Sequence, residues 1–227
     1  MPEETSRTLN HFALHAFTDA YWALAPAARA ELSRDWLAGL RSAAASVQLF
    51  QPTESGVDLI SWSALPVDGP EAPAKFFECW ARANSPHRPY LRTLHALWGF
   101  TRPSQYTKTR SAQEIDPFSA ARRRYLVIYP FVKTTEWYLM GRESRQGMMN
   151  EHIRIGKQYE EISQLLLYSF GLQDQEFVVV YEMDDLARFS DLVNELRSTD
   201  GREYTLRDTP LHTAVYHPAE DTLALVA

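Results

Sequence analysis

Apolar positions along this chain change period several times. Tyr125-Leu-Val-Ile-Tyr-Pro-Phe-Val132 is a run of aromatic and β-branched residues ending near a proline, which predicts a buried strand. From residue 137 to about 159 the spacing turns helical: Trp137, Met140, Met148, His152, Ile155 and Tyr159 fall at three- and four-residue steps or multiples of them. Residues 162–170 and 176–181 predict two more strands, with Gly171-Leu-Gln-Asp174 supplying turn chemistry between them. A helix over 186–197 is striped by Phe189, Leu192, Val193 and Leu196 and capped by Asp184 or Asp185. A last strand spans 211–216.

The first half reads in the same terms. A strand over 8–17 is followed by a helix opened by Ala25-Pro26 and ending near 45, with Leu32, Trp36, Leu37 and Leu40 on its apolar face. Strands over 47–51 and 57–64 are joined by the turn cluster Pro52-Thr-Glu-Ser-Gly56. A helix over 74–84 breaks at Ser85-Pro-His-Arg-Pro89, helical spacing resumes over 90–98, and 101–106 is short and extended. The order strand–helix–strand–strand–helix–strand thus occurs twice. It predicts an α+β fold of tandem ferredoxin-like (βαββαβ) domains, with antiparallel sheets packed into a barrel-like core. The expected divisions are an N-terminal domain over 1–106, a polar linker or surface arm over 107–121, and a C-terminal ligand-binding domain over 122–227. Sheets of this kind leave edges and helix faces for partners, so a homo-oligomer is expected.

Composition narrows the function classes. Apolar residues make up 45% of the 227, enough for a packed core, and the net charge of −6 argues against nucleic acid as the main partner. Arg122-Arg-Arg124 is a local basic run, expected as a solvated flank. Cys79, the one cysteine, excludes an internal disulfide, and its setting in Phe76-Phe-Glu-Cys-Trp80 predicts an inert buried thiol. No run reaches the roughly 18 apolar residues of a membrane span. The opening residues lack a basic and then apolar leader, so a cytoplasmic protein without a signal peptide is expected.

The chain has no phosphate loop, dinucleotide fingerprint, zinc-protease helix or nucleophile elbow. His11 with His15, and His212 with His217, are spaced poorly for joint metal ligation and are expected as core or surface residues. His152 is different. It lies on the apolar side of the central helix, where it is either a hydrogen-bonded core residue or an axial ligand for haem iron. Tyr129, Lys133, Trp137 and Gln164 come from elements that could face the same space. Phe131, Met148, Met149, Ile155 and Leu166 could form an apolar slot, and Arg102, Lys133 and Arg202 could meet ligand carboxylates.

Tyr129-Pro-Phe-Val-Lys133, Glu136-Trp-Tyr138, Met149-Asn-Glu-His152, Tyr168-Ser-Phe-Gly171, Gln175-Glu-Phe177 and Tyr204-Thr-Leu-Arg-Asp-Thr-Pro210 together resemble the chlorite dismutase-like superfamily, and within it the coproheme decarboxylases. The resemblance is dense from about 124 to 210. It implies tandem ferredoxin-like domains, commonly in rings of five, and haem or coproheme as cofactor and substrate. His152 would be the iron ligand, Tyr129 the radical tyrosine, and Lys133 the lysine beside a propionate. Gln164 would stand where chlorite dismutases carry arginine. Trp137 would lie near the haem, and Arg202 and Thr209 near its propionates. Counting forward from His152 reaches Leu165 instead of Gln164; a one-residue deletion between 158 and 163 reconciles the two counts. The implied reaction is oxidative decarboxylation of iron-coproporphyrin III to haem b with hydrogen peroxide. The alternatives are chlorite dismutation or general haem peroxidation, a non-catalytic haem carrier or sensor, and an interaction protein without haem.

Overall fold

A computed structural model describes residues 7–106 and 111–227. The first half contains β1 (Thr8–Phe17), α1 (Asp19–Trp22), α2 (Pro26–Ala43), β2 (Ser46–Pro52), β3 (Leu59–Pro66), α3 (Ala72–Asn84) and β4 (Leu91–Phe100). The second contains β5 (Tyr125–Lys133), α4 (Thr135–Leu139), α5 (Arg142–Gly156), β6 (Ser163–Tyr168), β7 (Phe177–Met183), α6 (Leu186–Leu196), β8 (Thr205–Arg207), β9 (His212–Tyr216) and α7 (Ala219–Ala224).

The strands form one nine-stranded sheet in the order β7-β6-β4-β1-β3-β2-β9-β5-β8, and β7 also pairs with β5. That last pairing closes the order into a ring and leaves β8 outside it. All the strand pairings are antiparallel. Each half repeats one arrangement, β4-β1-β3-β2 and β9-β5-β7-β6, and β2–β9 and β4–β6 join the halves. The main core lies inside the ring, where Phe12, Phe50, Trp62, Leu97, Leu126, Leu165, Val178 and Ala214 meet. Each fully buried large side chain there contributes roughly 1.5–3 kcal/mol. A second apolar cluster packs Trp36, Leu37 and Leu40 of α2 and Leu223 of α7 on Leu49, Leu59 and Leu91. A third packs Ile155 of α5 with Phe189 and Leu192 of α6 on Val127 and Tyr181.

Sequence and structure coincide most closely where local signals are strong. β1 has the predicted limits, and Asp185 caps α6 by accepting from the backbone N–H groups of Ala187 and Arg188. Residues 90–98 were expected as a helix and form β4 instead; pairing with β1 along nearly its whole length overrides the helical spacing of its apolar residues. The helix expected over 137–159 is two, α4 and α5, because Met140 and Gly141 adopt extended backbone between them. Residues 101–106 join no strand. Cys79 is exposed, contrary to its expected burial, because α3 turns Phe76 inward and Cys79 outward.

The polar stretch expected as a linker or arm is held down where it is described; 107–110 lie outside the described residues. The Gln113 side-chain amide donates to the carbonyls of Gly156, Tyr159 and Ile162, and Ile115 enters the main core. The side chain of Arg122, expected as solvated, is 1% exposed and paired at 3.0 Å with the Glu182 side chain, itself 5% exposed. Its guanidinium also lies 5.1 Å from the Trp62 ring centre.

Candidate functional site

The outer faces of β5, β7 and β6 carry ordered rows of side chains, because directly paired residues point to the same side of a sheet. Val127, Tyr181 and Gln164 form one row, Tyr129, Val179 and Leu166 the next, and Phe131, Phe177 and Tyr168 the third. α5 lies over this face with Ile155 and Tyr159 packed toward it. His152 shares the side of Ile155, three residues before it on the helix, and Tyr159 follows just after the helix ends. A hollow beside Asn150, Arg154 and Lys157 lies on the opposite side of α5. Leu165 points the other way, 3% exposed in the core inside the ring. Of the two positions reached by counting, Gln164 is therefore the one on the α5 face; its own side chain is exposed.

At the end of β5 four groups converge. The Lys133 ammonium donates to the Gly201 carbonyl at 3.0 Å and lies 4.2 Å from the centre of the Trp137 ring, a cation–π contact. Trp137 is 4% exposed, brought over Lys133 by the short helix α4. Burial first, and then the Arg202 charge, lower the Lys133 pKa to about 8. The ammonium form thus persists at neutral pH but is easily deprotonated. Burial, with the nearby Lys133 charge, lowers His152 to about 4, so its imidazole is neutral at neutral pH. Among the described residues nothing hydrogen-bonds to that ring. Arg202 is held by Asp208 at 2.6 Å, and Arg197 reaches the same carboxylate oxygen at 3.2 Å.

Tyr129 lies two residues before Phe131 on the same face, its ring stacked 6.3 Å from that of Tyr181. Burial, and then the Tyr181 hydroxyl, push its phenol well above the usual range. Arg102 is set apart from Lys133: its guanidinium lies 5.3 Å from the Tyr168 ring centre, across the β4–β6 junction. Thr209 is exposed and makes no side-chain hydrogen bond among the described residues. The structure thus groups Lys133, Trp137, His152 and Arg202, sets Tyr129 and Gln164 on the same sheet face, and leaves Thr209 outside the group.

Three supporting residues were given no role by the sequence, although Glu176 and Asp208 lie within motifs quoted above. Glu176 accepts from the Lys133 backbone N–H at 2.8 Å and from the Tyr138 hydroxyl at 2.5 Å. Burial and that carboxylate push the Tyr138 phenol up. Asp208 fixes Arg202, and Tyr181 flanks Tyr129. Glu176 and Tyr181 act across more than 40 residues, and Asp208 acts around the turn at 199–204, so no helical or strand period signals them.

Among the described residues no group of three or more His, Cys, Asp or Glu side chains is placed to hold a metal ion. His152 alone could offer a metal one neutral nitrogen, and a metal bound so must bring most of its coordination with it, as a macrocycle does.

A protein-family model described as chlorite dismutase matches residues 78–217. The coproheme decarboxylase of Mycolicibacterium smegmatis is 33% identical over 125 residues, which are 54% of this chain and 52% of that protein; the chain thus matches about half of this curated relative's length. A mutant chlorite dismutase from Candidatus Nitrospira defluvii superposes with a TM-score of 0.82 at 18% identity, over 97% of this chain and 95% of the other. The chlorite dismutase from the same organism, in complex with imidazole, gives 0.78 at 18% identity, over 95% and 93%. At such identity the two structures speak for the fold. The family model spans most of the second half and the end of the first, including every residue grouped above, and the chain belongs to the chlorite dismutase family.

Proposed function

We propose that this chain is a haem-dependent enzyme that uses hydrogen peroxide to decarboxylate coproheme to haem b. The observation that carries the reading is the placement of a half-buried Tyr129, its phenol pushed up, on the same strand face as the cation Lys133, beneath the helix that presents His152. The relative named as a coproheme decarboxylase supports it.

The residues present fit such a ligand. His152 offers an unprotonated ring nitrogen with no competing hydrogen bond, the form that ligates iron. Lys133 and Arg202 would hold propionates, with Arg102 at the far side and Trp137 walling the slot. When bound, the iron macrocycle supplies the redox chemistry with peroxide. Tyr129 contributes a phenolic Oη that stays protonated across the physiological range and so can give up a hydrogen atom. Lys133 Nζ would hold the reacting carboxylate, and its pKa of about 8 lets it move a proton near neutrality. Gln164 presents a neutral amide where chlorite chemistry favours a fixed cation. We read the halves 1–106 and 122–227 as ferredoxin-like repeats joined by 107–121, and the assembly as a cytoplasmic homo-oligomer, a pentamer by family resemblance.

The test is titration of the apoprotein with iron-coproporphyrin III without oxygen, then peroxide, with mass detection of the porphyrin. Loss of two carbon dioxide molecules and four hydrogens from the porphyrin, the hydrogens going to water as two peroxides are reduced, is expected, and Tyr129→Phe should abolish it while binding persists. The similarity to chlorite dismutases supports a second reading, chlorite dismutation or general peroxidation. Tight binding with no change in porphyrin mass would favour it. No binding would make His152 a core histidine and remove both readings.

A further inference from the structure

The interior of the strand ring is apolar through its middle but polar at one end. There a cavity of about 230 Å³ is walled by His95, Asp174, Gln175, Arg207 and His212, with Pro130 beneath them. Pro130 and His212 come from β5 and β9 and point opposite to Tyr129, so this cavity and the site under α5 lie on opposite faces of β5. Mouths of closed strand arrangements are favoured places for small ligands.

His212 is 6% exposed. Its Nδ1 lies 2.6 Å from Glu54 Oε1, and a carboxylate only accepts, so Nδ1 carries the proton. In the neutral ring Nε2 is then an acceptor, and it is buried without a hydrogen-bond partner. Arg207 and Asp174 are both exposed at the rim, and neither forms an ion pair among the described residues, with each other or with any third group. The cavity therefore presents a guanidinium and a carboxylate, neither in an ion pair among the described residues, beside the buried imidazole of His212.

We propose that this cavity binds a small zwitterion of the amino acid class, its carboxylate on Arg207 and its ammonium on Asp174, next to the His95 and His212 rings. A simple anion would satisfy Arg207 but face the Asp174 carboxylate. A bare metal ion would lack ligands, since no cluster of three suitable side chains exists among the described residues. A molecule with both charges satisfies Arg207 and Asp174 together. This inference does not depend on the haem reading.

The experiment is calorimetric and NMR titration of the full chain, following the ring signals of His95 and His212. The probes are glycine, glutamate and 4-aminobutyrate, with acetate and methylammonium as single-charge controls. Saturable binding of at least one zwitterion is expected, with shifts at both histidines and little response to either control. Arg207→Gln and Asp174→Asn should each weaken it about tenfold or more. Both residues are on the surface, so circular dichroism should show folded variants. The proposal is overturned if no zwitterion saturates, if acetate or methylammonium binds as well, or if both variants bind like the parent.

Discussion

Lys133 holds its ammonium 4.2 Å from the centre of the Trp137 ring while donating to Gly201. The side chain is thereby fixed at both its electrostatic and its apolar surfaces, and its pKa falls to about 8. Raising the pH through that value removes the charge that would hold a propionate. Coproheme binding, followed by absorbance from neutral pH to about 10, should weaken with a midpoint near the Lys133 pKa. Arg202→Gln removes a cation that lowers this pKa, so the midpoint should move upward. An unmoved midpoint would mean that another group titrates.

Arg122 and Glu182 form an ion pair with almost no solvent contact. Burial pushes the Glu182 carboxyl up, against the pull of Arg122. Arg122→Met leaves a buried carboxylate unpaired and should cost about 3–5 kcal/mol in urea unfolding. The double variant Arg122→Met/Glu182→Leu should recover much of that. A double variant no more stable than the single one would show that the value of Arg122 lies instead in its bonds to the Asp116 and Ser119 carbonyls.

Gly99 lies where β4 meets β6. A Cβ there would stand 2.6 Å from Ser169 Oγ and 2.7 Å from the Tyr168 carbonyl oxygen. The second contact is backbone and cannot swing away, so Gly99→Ala should destabilise by roughly 1–3 kcal/mol. Gly147, inside α5, has open space around it. Gly147→Ala should stabilise by about 1 kcal/mol, and urea midpoints of the two variants should move in opposite directions.

Acid should act through buried histidines. Burial lowers His11 to about 4, and burial together with His11 lowers His15 to about 3, from an ordinary 6.5. Both folded values are depressed, so the unfolded chain binds protons first. The stability from neutral rings is complete above 6.5 and is lost as pH falls toward 4 and then 3. At about 1.4 kcal/mol per unit, His11 alone represents roughly 3 kcal/mol. His11→Phe, among the rings of Phe76, Phe77 and Trp80, should flatten this acid dependence in urea melts. An equally steep dependence in the variant would exclude His11 as a source.

What the sequence made legible was whatever is encoded within a few residues. The alternation of β1, the apolar stripe and aspartate cap of α6, and the strand pair around Gly171 follow from local spacing. β4 does not, because its helical spacing loses to hydrogen bonding with a strand some 80 residues earlier in the chain. β8 is three residues long, too short to carry a period, and α7 is scarcely longer. In the candidate site, His152, Lys133, Trp137 and Tyr129 could be singled out by residue type and resemblance. Tyr181 could not, and the motifs holding Glu176 and Asp208 gave them no role, since each matters through a contact that only the folded chain makes. Gln164 over Leu165 was a question of which sheet face each side chain takes, and pairing with Tyr181 answers it.

Tyr129 and Pro130 are neighbours in sequence, yet one faces the space under α5 and the other floors the cavity at the mouth of the ring. A single inserted or deleted residue in β5 would exchange them, and both places would be lost together. Changes in length are expected instead at connections that touch neither place, such as 67–71 between β3 and α3. Mutational drift in the two sites is tied by one strand, so the ancestry of either can be traced only alongside the other.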